Sequence, residues 1–103
     1  AQCSGGKTAP EPDFALARQI NRSEAAITDH IMALFAANGC QMSTAQYETY
    51  LERKFPKSAA IIGTEVGEAR FMMQSMPHLL QQKGLLVRTA DQNILKSTGK
   101  GCN

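Results

Sequence analysis

Met42-Ser43-Thr44-Ala45-Gln46-Tyr47-Glu48-Thr49-Tyr50-Leu51-Glu52-Arg53-Lys54-Phe55-Pro56 carries the signals that start, orient and stop a helix. Ser43 is placed to accept from the amide three residues on while Gln46 reaches back to the Ser43 amide, the reciprocal pair of a capping box. Met42 and Tyr47 stand at the positions of a hydrophobic staple around it. Tyr47, Leu51 and Phe55, with Tyr50 beside them, recur at helical spacing and mark a buried face. Pro56 ends the run, because a proline disfavours helix in the residue before it. This segment sets the expectation of a mainly α fold.

On its N-terminal side, Ile27, Ile31, Leu34 and Phe35 recur as the apolar face of an amphipathic helix, and Gly39 supplies a left-handed end. Asp13 can cap an earlier stretch carrying Phe14, Ala17 and Ile20. Asn21-Arg22-Ser23 interrupts the pattern, so helix is expected over roughly 13–38, continuous or broken near Ser23. Residues 1–12, AQCSGGKTAPEP, have no apolar periodicity and read as a flexible or extended lead-in.

On its C-terminal side, Ser58 is positioned to cap a short turn, Ala59 to Ile62, before Gly63. Thr64 caps the next helix, with Glu65 and Glu68 at the positive end of its dipole. Val66, Ala69, Met73, Met76 and Leu80 alternate by three and four as a buried stripe, widened by Phe71, Met72 and Leu79. Pro77 removes a hydrogen bond from the helix interior, so a kink or restart is expected near Ser75–Pro77. Beyond Gly84, Leu85 to Val87 and Asn93 to Lys96 flank a turn and read as a β-hairpin, followed by a polar tail over 99–103. The expected architecture is a single domain over 13–98: a small bundle of three to four helices with a C-terminal hairpin.

Composition narrows the functional classes. The chain has 103 residues, a net charge of +2, 43% hydrophobic residues and no Trp. No run of about 18 apolar residues is present to span a membrane. So few aromatics do not make a stacking platform for bases. Gly6-Lys7-Thr8 ends like a phosphate loop but lacks the upstream glycine and launching strand. His30 and His78 have no partners at metal-ligand spacing, and nothing local activates Cys40 as a nucleophile. Glu48 and Glu52 read as a solvated helix face. No catalytic, cofactor or metal residue is assigned, and the protein is read as non-enzymatic. Asn21-Arg22-Ser23 matches the glycosylation triplet and is read as a chance occurrence.

Cys3 and Cys102 lie near the two ends and Cys40 in a turn. A single bridge from a tail to Cys40, or from tail to tail, would pin a loose end to the body and leave one thiol over. Cys3 could then bridge a second copy. Such bridges belong to oxidising compartments, so a periplasmic or secreted protein is slightly preferred over a cytoplasmic one. The start at Ala1 fits either a cleaved signal peptide or a trimmed Met.

Three helices, a strand, a turn and a returning strand resemble the element order of winged-helix domains over residues 24–98. The resemblance is one of order and not of motif. It implies nucleic-acid binding through a basic hairpin, and from residue 83 onward Lys83, Arg88, Lys96 and Lys100 face one acid, Asp91. Glu65, Gly67 and Glu68 occupy the helix end that should approach base edges, with Arg70 the one basic residue there. Two functional expectations follow. The first is an exported, disulfide-stabilised adaptor that docks a protein partner through Phe71, Met72 and Met76, methionine-rich faces being adaptable. The alternative is an intracellular winged-helix nucleic-acid binder using Lys83, Arg88, Lys96 and Lys100.

Overall fold

Local capping chemistry starts all four helices seen among the described residues, which in this computed structural model are 12–57, 64–91, 93–99 and 102. The Asp13 carboxylate accepts from the Leu16 amide at 3.0 Å and opens α1, Phe14–Ile20. Ser23, in extended backbone, accepts from the Ala26 amide and opens α2, Glu24–Ala37. The polar interruption at 21–23 is therefore a true break. The Asn21 side-chain amide, the atom a glycan would need, donates to the Glu65 carbonyl at 3.0 Å and ties this corner to the start of another helix. Gly39 and Cys40 both adopt positive φ, 78° and 69°, and swing the chain into β1, Gln41–Ser43.

The capping box forms as the sequence predicts. The Gln46 amide donates to Ser43 Oγ at 3.0 Å and the Ser43 amide to Gln46 Oε1 at 2.8 Å, opening α3, Thr44–Lys54. Thr64 caps α4, Glu65–Gln82, through the Gly67 amide. Gly84, at φ 80°, then turns the chain into β2, Leu86–Arg88, which returns as β3, Ile94–Ser97. The expected hairpin is present, and it gains a third strand. β1 pairs antiparallel with β3, giving the order β1-β3-β2. Three residues are too short for a period-two signal, and Met42 also fits the staple position of α3.

The core forms where the apolar stripes converge. Ile20, Ile27, Ile31, Phe35, Leu51, Phe55, Val66, Met73, Leu80 and Leu86 are fully buried. Met42 and Leu95 close it from the sheet, whereas Leu34 is only half-buried. The expected turn at Ser58–Gly63, the lead-in, Cys3 and Lys100 lie outside the described residues.

α4 runs unbroken through Pro77, where a kink or restart was expected. Proline has no amide hydrogen, so the carbonyl four residues earlier, on Met73, loses its helical donor. The Tyr47 hydroxyl replaces it, donating to the Met73 oxygen at 2.7 Å from a buried position on α3. A buried carbonyl left without a partner costs about 1–3 kcal/mol, so Tyr47 removes the main penalty for the proline. Ser75 adds a donation back to the Phe71 carbonyl at 3.0 Å. Tyr47→Phe is expected to lower stability by about 1–3 kcal/mol in chemical denaturation. In a Pro77→Ala background, where residue 77 again has an amide hydrogen, the same change should cost much less. Equal losses in both backgrounds would contradict the pairing.

Candidate functional site

With its buried stripe turned inward, α4 presents Glu68, Phe71, Ser75, His78 and Gln82 to solvent at steps of three and four. Phe71 is 66% exposed, the most open large apolar side chain among the described residues. Met72 is half-buried, but Met76 lies in the core at 4% exposure. The expected docking trio is thus not one surface. A five-residue step carries Met76 well round the helix from Phe71, leaving Phe71 with the edge of Met72.

Arg70, the one cation within α4, is also turned inward, at 6% exposure. Its guanidinium donates to the Phe55 carbonyl at 2.7 Å and to Glu52 at 3.0 Å, with Glu48 at 3.9 Å. Glu48 and Glu52, read from sequence as a solvated face, are its partners. A buried guanidinium requires such compensation, because removing one partner strands the charge. Nothing in the spacing of Arg70 pointed to this, since its partners sit on another helix and at that helix's C-cap. The exposed face of α4 is left without a lysine or arginine.

The described basic side chains of the C-terminal part lie at the end of α4 and on the sheet. Lys83 is the C-cap of α4. Arg88 borders a cleft of about 210 Å³ between α3, α4 and the sheet, beside Tyr47, Glu48, Pro77, His78 and Leu95. Lys96 pairs with Gln41 on one side and Val87 on the other, a row of exposed residues on the sheet. At the acidic start of α4, Glu65 is engaged by Arg18 at 3.2 Å. Among the described residues no three His, Cys, Asp or Glu side chains converge as metal ligands.

A second polar group joins α2 to α3. His30 Nε2 and the Tyr50 hydroxyl are 2.7 Å apart, and the Arg53 guanidinium lies 5.9 Å from the Tyr50 ring centre. Burial holds His30 below its ordinary pKa, Lys54 acts in the same direction and Asp13 opposes them. Burial likewise raises Tyr50, with Asp13 adding to the effect and Arg53 opposing it. No local pattern signals this pair, whose members are 20 residues apart in the chain. The folded state favours neutral His30, whereas the unfolded chain takes up a proton at about pH 6.5. Stability should therefore fall as pH drops through about 6.5 and on towards the lower folded pKa. Thermal unfolding across a pH series should show a shallower decline in His30→Gln; an unchanged slope would contradict the assignment.

The tail is held to the body by a disulfide between Cys40 and Cys102, whose Cα atoms are 5.5 Å apart across a separation of 62 residues. This is one of the pairings expected from the sequence. The Ser97 amide donates to the Cys40 carbonyl at 2.8 Å alongside it. A loop of that length gives about 4 kcal/mol in the chain-entropy account. Thiol titration of the native protein should find Cys3 alone, and reductant should lower the unfolding midpoint. Three native thiols would contradict the bridge.

Comparison with protein-family models, with curated proteins and with solved structures finds no match to this chain.

Proposed function

We propose that the domain is a winged-helix module that binds duplex nucleic acid, presenting α4 to a groove and the β2–β3 hairpin to the backbone. The observation that carries this reading is the sheet order β1-β3-β2 formed around the consecutive helices α3 and α4. The hairpin follows the C-terminal end of α4, and on this reading Lys83 at the C-cap, Arg88 on β2 and Lys96 on β3 supply the phosphate contacts. Two features that counted against the reading in sequence have structural accounts. Glu65 is partly neutralised by Arg18, and Arg70 serves the α3–α4 interface. Division of labour follows: cations on the hairpin and helix end position the module, and uncharged side chains on α4 meet the bases.

A second reading, the exported adaptor docking a protein partner, is favoured by the Cys40–Cys102 bridge and by the exposure of Phe71. Disulfides are rare in reducing compartments. The two readings differ in their response to salt. About three phosphate contacts give a slope of log affinity against log salt of about −3. Fluorescence anisotropy with a random-sequence duplex should show that slope, and Lys83→Gln, Lys96→Gln and Arg88→Gln should each make it shallower by about one. Absence of binding at low salt would overturn the nucleic-acid reading.

A further inference from the structure

Asn38 is the exposed C-cap of α2, and Gly39 follows it at φ 78°. Independently of either functional reading, we infer that Asn38 is a modification site, which loses ammonia by deamidation at a rate governed by the Cys40–Cys102 bridge. The reaction begins when the Gly39 nitrogen, giving up its proton to water, attacks Asn38 Cγ. A bond forms between them, the Cγ–Nδ2 bond breaks and ammonia leaves. The five-membered imide that results takes up one water and opens to aspartate or to isoaspartate. Glycine on the C-terminal side suits this step, because no Cβ obstructs the attacking nitrogen. Asn38-Gly39 is the one such pair in the sequence, since Asn21 precedes Arg22 and Asn93 precedes the branched Ile94.

In this turn the attacking group is open and the group attacked is held. The amides of Asn38 and Cys40 both donate to the Phe35 carbonyl, at 3.0 Å and 2.8 Å. The Gly39 amide between them donates to no group among the described residues. A Cβ at Gly39 would meet no atom beyond its chain neighbours within 4 Å, so water reaches the turn. The Asn38 carboxamide donates to the Leu34 carbonyl at 2.8 Å, which draws Cγ back along the helix. Ring closure requires that bond to break and the turn to open. Cys40 braces the turn from its other side. Its φ of 69° is costly for a residue with a Cβ. Two restraints hold it there, the bridge to Cys102 and the Ser97 amide on its carbonyl at 2.8 Å. Without the bridge one restraint is lost and the turn opens more often. The product then undoes the cap. A carboxylate has no hydrogen to give the Leu34 carbonyl, and its charge stands at the negative end of the α2 dipole. Isoaspartate also adds a methylene to the main chain ahead of β1, whose Gln41 is paired with Lys96.

The test is peptide mapping by mass spectrometry after incubation of the full chain at mildly alkaline pH. The bridged protein, a Cys102→Ser variant and the protein unfolded in urea are followed side by side. Asn38 should convert ahead of Asn21 and Asn93, to a mixture of aspartate and isoaspartate. Its rate should be slowest in the bridged protein, faster in folded Cys102→Ser and fastest in urea. Cys102→Val, which also lacks the bridge, replaces Cys102→Ser if that variant does not fold. Asn38→Gln, whose longer side chain would have to close a six-membered ring, should keep its amide. Asn38→Asp, which carries one product from the start, should unfold at a lower midpoint than the unaltered protein; an unchanged midpoint would contradict the loss of the cap. Equal rates at Asn38 in the folded protein with and without the bridge, or conversion of Asn21 or Asn93 ahead of it, would overturn the inference.

Discussion

A single hydroxyl allows the longest helix of this protein to exist as one piece. α4 has 18 residues with a proline inside, and Pro77 deprives the Met73 carbonyl of its donor deep in the core. Tyr47 restores the missing bond from α3, so the helix continues where helix rules alone stop it. The position of Tyr47 is itself determined locally. The capping box at Ser43 and Gln46 fixes where α3 begins, and Tyr47 follows as its staple residue, with its ring centre 6.2 Å from that of Phe35 on α2. One side chain thereby joins α2, α3 and α4.

The second clamp on α4 is Arg70, and together the two set the helix's rotation. Tyr47 holds the Met73 turn, and Arg70 holds the preceding turn against Phe55 and Glu52. With that rotation fixed, Met73 and Met76 point into the core and Phe71 points out. The hairpin is attached to the same frame. The Leu85 amide donates to the Leu80 carbonyl at 2.9 Å, and Thr98 closes back onto Gly84 and Leu85. An α4 face with no exposed lysine or arginine is thus a consequence of interior contacts.

What was legible in the sequence was what neighbours decide. The cap at Ser43, the stripes Ile27/Ile31/Phe35 and Tyr47/Leu51/Phe55, and the left-handed turn at Gly39 depend on residues within one or two turns of each other. Interactions across the chain were not legible. Arg70 stood out in sequence only as the one basic residue near the start of α4, because its partners lie on α3 and at its C-cap, and Glu48 and Glu52 read as solvent-facing for the same reason. The proline rule was correct about the lost hydrogen bond and silent about a donor 26 residues away supplying it. β1 escaped notice because three residues carry no period. The cysteines narrowed the bridge to pairings that only the path of the chain could decide between. Of the expected docking residues, Phe71 is exposed and Met76 buried, a difference that only the axial rotation of α4 decides.

Native-state amide hydrogen exchange over 66–82 tests most directly whether α4 is one unit held across Pro77. If Tyr47 bridges the break, the amides from Leu79 to Gln81 exchange with the same opening free energy as those from Arg70 to Met73, both governed by opening of the core. If the segment beyond Pro77 instead opens separately at much lower free energy, the proline divides the helix, and the fixed outward face centred on Phe71 loses its basis.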